Sequence, residues 1–289
     1  MMEFPAMRGV ASYAGGGTSG DRPVLDLSGP KLRASFETLI GACEPIGGIE
    51  AFAEALKLKS RLFEEWLGEG RAASLERAAF EEMSVLMPTV RRRVVDFLDA
   101  EGWPSVRSAI VDLLADAHVP DTADRRLARF RKSFESGKNR RFVRDLAAEI
   151  LHNLYPEHYP LMTRWVWDAK ANTGVLREIW HGDNVDHMVI PVADTHETFL
   201  VLREELSQFL ADNGVFRDML WYVDLLLAQV YADYINAQGG AYLKTDFSSE
   251  SDPLEHTRRM LGVDARVDRS GAKYIDGTAR SVDAIRKLN

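Results

Sequence analysis

The 289-residue chain carries 36 Lys and Arg against 44 Asp and Glu, a net charge of -8, and 46% of its residues are hydrophobic. That length and apolar content suffice for a sizeable core, while the negative balance argues against a protein that coats nucleic acid indiscriminately. The single cysteine, Cys43, excludes an intrachain disulfide and a cysteine-based zinc cluster, and reads as a small buried residue.

No apolar run approaches the length of a membrane span, and the first residues lack the basic-then-apolar order of a signal peptide. A cytoplasmic protein without a membrane partner is the expectation. Residues 1–28 hold Gly15-Gly16-Gly17, Ser19, Gly20 and Pro23 without lasting periodicity, which predicts a flexible tail with at most a short strand at Val24-Leu25. A helical N-terminal lobe, 29–120, follows. Leu32, Phe36, Leu39 and Ile40 form one helical stripe, interrupted by Pro45, Gly47 and Gly48. The segment from Gly47 to Gly70, with Phe52, Ala53, Leu56, Leu58, Trp66 and Leu67 at the apolar positions, resembles the helix-turn-helix of Cro-like and phage-repressor domains. That resemblance places Lys59, Ser60, Arg61 and Glu64 where a major groove would be read; the acidic Glu64, Glu65 and Glu69 favour a structural helical hairpin. More helix is expected over Leu75 to Leu98, broken at Pro88, with a second basic cluster at Arg91, Arg92 and Arg93. A turn at Trp103-Pro104, a helix from Val106 to Leu114 and a cap near Pro120-Asp121 complete the lobe.

The next segment, 121–238, is read as the core. Arg125, Arg126, Arg129, Arg131, Lys132, Lys138, Arg140 and Arg141 crowd together, opposed within that run only by Glu135, and such a local field suits contact with a few phosphates. Asn139 lies in the same run. From Phe142 to Leu154, Val143, Leu146, Ala147, Ile150, Leu151 and Leu154 make one apolar stripe, which leaves Asp145, Glu149 and His152 on a polar face. Tyr155-Pro156 ends that helix. After Pro160, Thr163 is the expected N-cap of a second helix carrying Trp165, Trp167 and Asp168 and reaching Asn172 to Gly174. Residues 181–196 are irregular and contain His181, Asp183, Asp186, His187, Asp194 and His196, but no established ligand spacing, so no metal is assigned. A patterned helix from Glu197 to Leu210 precedes a nearly apolar one from Phe216 to Ile235, read as central. Asp224 within it needs a partner, an Arg or a helix end. The extension 239–289 is loop-rich, with one short helix from Leu254 to Leu261 after Ser251-Asp252-Pro253.

Ile150-Leu151-His152-Asn153-Leu154-Tyr155-Pro156 followed by Tyr159-Pro160-Leu161 and a new helix resembles the catalytic centre of the helix-hairpin-helix DNA glycosylase superfamily. The resemblance covers about residues 138–168. It implies a mostly α, two-lobed fold, double-stranded DNA as partner and base flipping; no cofactor and no obligate protein partner are assigned. Gly137 to Arg141 falls at the phosphate-gripping hairpin, Arg144 at the Lys position and Thr163 at the essential Asp position, so both catalytic positions depart from the pattern. Without that Lys no Schiff base forms, and hydrolysis to an abasic site is the activity implied.

The expected site is therefore Asp168 as the carboxylate, with Asp145 and Glu149 as substitutes. Trp165, Trp167, Thr163, Arg144 and His152 would form a base pocket, and Lys138, Asn139, Arg140, Arg141, Arg131 and Lys132 would contact DNA. A modified phage base in an antiviral system fits the altered pair. Two further readings stay open: a non-catalytic DNA-binding regulator, and a metal-dependent nuclease built on Asp145, Glu149 and His152. Independently of any resemblance, repeated helical stripes and short turns predict a mostly α protein.

Overall fold

The computed structural model describes residues 22–135, 140–239 and 253–264. Those residues are mostly helical: α1 (Gly29–Cys43), α2 (Glu50–Leu67), α3 (Arg77–Ser84), α4 (Val94–Glu101), α5 (Trp103–Leu114), α6 (Ala123–Lys132), α7 (Phe142–Leu154), α8 (Val175–Glu178), α9 (His196–Asp212), α10 (Met219–Gly239) and α11 (Glu255–Leu261). Among the described residues the extended pairings are isolated bridges, Leu27 with Trp180 and Asp168 with Thr173, and the strand allowed at Val24-Leu25 is absent. No helix among them is long and apolar enough to cross a membrane.

One continuous apolar core runs from Leu25 to Val263. Helices α1 and α2 pack against α10, and α2 also packs against α7, so the segments 29–120 and 121–238 share that core. Cys43 is buried in it, and burial pushes its thiol up to about 12, which leaves it protonated and inert at neutral pH.

Residues 47–70 do not form two helices and a turn. Residues 50–67 are one unbroken helix, because nothing between Phe52 and Leu67 interrupts its apolar stripe. Lys59 and Ser60 point inward: the Lys59 ammonium donates to the Leu261 carbonyl at 2.9 Å, and the Ser60 hydroxyl donates to the Asn153 carbonyl at 2.8 Å. Neither is placed to read a groove. Through Lys59 the α11 segment is fastened to the core, and Arg91 adds a two-pronged pair with Asp264 at 2.7 and 2.8 Å.

Helix α7 is buried on nearly every side, Asp145, Glu149 and His152 included. The expected solvated face is instead covered by elements that bring counter-charges. Arg164 donates from its backbone N–H, Nε and Nη2 to Asp145, with the closest contact 2.7 Å. Lys59 approaches Glu149 at 3.4 Å. His152 contacts Asp224 of α10 through Nε2 at 3.0 Å and the Tyr159 carbonyl through Nδ1 at 2.9 Å. Asp224 thus hydrogen-bonds a histidine, with the charge of the expected arginine supplied by the nearby Arg203.

Candidate functional site

The helix expected from Thr163 is a single turn. The chain then closes a tight loop in which Asp168 N–H donates to Thr173 O at 2.9 Å and Thr173 N–H returns to Asp168 O at 3.3 Å. Asn172 sits at φ 52° and Gly174 at φ 123°, conformations that bring the chain back on itself. The Asn172 side chain secures the loop, donating to Met188 O at 2.9 Å and accepting from Ile190 N–H at 3.0 Å. The Thr163 hydroxyl is buried without a hydrogen-bond partner, so it caps nothing; the Thr163 carbonyl accepts from Val166 and Trp167 instead.

This loop places Asp168 in a cleft of about 680 Å³. One wall is a stripe of α6, where Asp124, Leu127, Ala128 and Arg131 recur at the three- and four-residue steps of one helical face. The facing wall is the start of α7, with Arg141 and Arg144 one turn apart. Arg164, Lys170 and Ala171 surround Asp168, and Asp194 and Thr195, at the start of α9, close the remaining side. Thr195 is the N-cap of that helix, accepting from Thr198 N–H, while Asp124 accepts from His196 N–H at 2.9 Å and ties α6 to α9.

The Asp168 carboxylate takes Arg141 Nη2 at 2.7 Å on one oxygen and Ala171 N–H at 3.0 Å on the other. An ionised carboxylate offers about four lone-pair sites, so capacity remains for a water or a ligand donor from the cleft. Arg144 is fixed to Asp194, through Nη1 to the carboxylate and Nη2 to the backbone carbonyl at 2.9 Å.

Of the residues singled out from the sequence, Asp168, Arg141, Arg144 and Arg131 meet in this cleft, and Lys132 is exposed at the end of α6. Lys138 and Asn139 lie outside the described residues. Arg140 is turned away, paired with Glu101 and stacked over Phe97 at 5.1 Å. Trp165 and Trp167, expected in a base pocket, are buried in the core. Trp167 is fully buried and donates from Nε1 to Val192 O at 3.0 Å, and Trp165 packs edge-on to Tyr231 with centroids 5.7 Å apart. Thr163 and His152 are likewise enclosed.

Asp145 and Glu149 are buried and paired with Arg164 and Lys59, away from the cleft that Asp168 lines. Burial, opposed by the charges of Lys59 and His152, holds the Glu149 carboxyl above the ordinary carboxylate range. The triad read as a nuclease centre is thereby divided among separate partners, and among the described residues no group of three or more His, Cys, Asp or Glu is placed to hold a metal ion.

Sequence reasoning missed Lys170, Arg164, Asp124 and Thr195 as cleft residues. For Asp124 the available signal was its spacing from Arg131, which puts the two on one face of α6. No family model matches the chain, and no curated protein or solved structure matches it.

Proposed function

We propose that the chain binds duplex DNA at this cleft and hydrolyses an N-glycosidic bond there, leaving an abasic site in an uncut strand. The observation that carries the reading is the Asp168 carboxylate lining a cleft with Arg131, Arg141, Arg144, Arg164 and Lys170, while the other two carboxylates of the cleft, Asp124 and Asp194, are tied to His196 N–H and to Arg144. The cations offer sites for backbone phosphates, and the carboxylate stabilises the positive charge that builds on the sugar or orients the attacking water. The likeness of residues 138–168 to the two-lobed helix-hairpin-helix glycosylases supports the same chemistry. Arg144 at the position of that family's Lys supplies no amine for a Schiff base, so the product strand stays intact.

The test is incubation of the purified protein with duplex DNA carrying ordinary and modified bases, scoring free base and abasic sites by mass spectrometry. Release of free base is expected from the wild type, with a loss of roughly a hundredfold or more in Asp168→Asn. Binding without release from any DNA would overturn the enzymatic reading.

A second reading, a non-catalytic DNA-binding protein, is favoured by one feature. Among the described residues the cleft lining includes no aromatic ring, and Trp165 and Trp167 are buried in the core, so none of these rings offers a flipped base a stacking platform there. Base-dependent affinity with no abasic product would identify it.

A further inference from the structure

The cations of the cleft divide into those already committed and those still available. Both terminal nitrogens of Arg144 are engaged by Asp194, and Arg164 grips Asp145 through Nε and Nη2. These two form part of the wall. Arg131 lies 3.9 Å from Glu135, beyond hydrogen-bond distance, with both side chains more than half exposed. Lys170 is exposed and has no ion pair among the described residues.

Arg141 is intermediate. It spends Nη2 on Asp168, and among the described residues its Nε and Nη1 make no hydrogen bond. Its side chain is 64% exposed while that of Asp168 is 8% exposed. A guanidinium in this position loses little by leaving a carboxylate, because a half-solvated ion pair is weak, and it gains a two-pronged contact when a phosphate is offered.

We propose that the mouth of the cleft is a phosphate subsite formed by Arg131, Arg141 and Lys170, and that a bound phosphate draws Arg141 away from Asp168. The inference rests on the cleft being the functional site and specifies how it recognises its ligand. With Arg141 on the phosphate, Asp168 keeps the Ala171 N–H and gains an oxygen face open to the cleft. Ligand binding therefore exposes the carboxylate that the unliganded protein keeps paired. The phosphate belongs either to a DNA backbone or to a free nucleotide, since the same three cations suit both.

Calorimetric titration of the full chain with thymidine 5′-monophosphate, inorganic phosphate and a short blunt duplex separates these outcomes. Arg141→Ala and Lys170→Ala are each expected to weaken binding of the phosphate-bearing probe roughly tenfold, the loss of one charge-assisted contact. Asp168→Asn is expected to tighten it severalfold, because the competitor for Arg141 has lost its charge. Binding of the duplex alone assigns the phosphate to DNA, and binding of the mononucleotide assigns it to a free nucleotide; either supports the subsite when the variants follow this order.

No binding of any probe, wild-type affinity in Arg141→Ala, or unchanged or weaker binding in a folded Asp168→Asn overturns the proposal. Should Asp168→Asn fail to fold, Arg141→Ala decides alone, since its exposed side chain is removable without disturbing the core. The variant pattern without base release leaves the subsite standing and removes the glycosylase reading; base release without the pattern does the reverse.

Discussion

His152 has both ring nitrogens facing acceptors, the Tyr159 carbonyl and the Asp224 carboxylate, and only the doubly protonated ring donates to both. Burial by itself lowers its proton affinity. The charge of Asp224, the bond to it and the bond to Tyr159 outweigh burial and the nearby Lys59, and raise the imidazole above its ordinary 6.5. Arg203 also faces Asp224, and the Trp221 ring lies beside the imidazole. A histidine raised in the folded state contributes stability that is complete below the unfolded value and is lost as pH rises through the folded one. Urea midpoints of the wild type are therefore expected to fall as pH rises above 6.5. In Asp224→Asn, where a neutral ring donates to Tyr159 and accepts from the amide, that part of the fall should vanish. An unchanged slope would show that His152 is not the titrating group. Glu149 contributes in the same direction but from a lower pH, since its raised carboxyl penalises the fold once pH exceeds the ordinary carboxylate range.

Among the elements, the loop between Trp165 and Val175 decides the geometry of the cleft, and Gly174 decides the loop. A Cβ at Gly174 would stand 2.7 Å from the Val166 carbonyl oxygen, at a φ of 123° that side chains rarely adopt. Gly174→Ala should cost about 2–3 kcal/mol by urea unfolding, and lower cleft affinity as well if the Asp168 turn shifts. The helical stripes of α1, α7, α9 and α10 were legible in the sequence, because an apolar period of 3.6 is a local property. The fate of the polar face of α7 was not. Its partners Arg164, Asp224 and Lys59 lie 19, 72 and 90 residues from the groups they meet, and periodicity carries no information about contacts at that range. The same limit explains Trp165 and Trp167: an indole on a helical pattern reads alike whether it faces a ligand or the core. Asp168, Arg141 and Arg131 were legible as charges beside the glycosylase-like segment, but their convergence depends on a tight turn where a helix was expected.

At the scale of the whole molecule, a net charge of -8 coexists with a cleft whose cations outnumber its carboxylates. The acidic remainder repels a polyanion at long range, so affinity must come from few contacts and be sensitive to salt. With Arg131, Arg141 and Lys170 converging on one phosphate, the logarithm of duplex affinity should fall against the logarithm of salt with a slope of about -1, near 0.9 per phosphate neutralised. Fluorescence anisotropy of a short duplex, titrated across salt for the wild type and for the double variant Arg131→Glu/Lys170→Glu, decides whether the cleft is where the ligand sits. The expected result is roughly a hundredfold weaker binding in the double variant and a salt slope reduced toward zero. Wild-type affinity and slope in that variant would contradict the assignment and place any DNA contact on another surface.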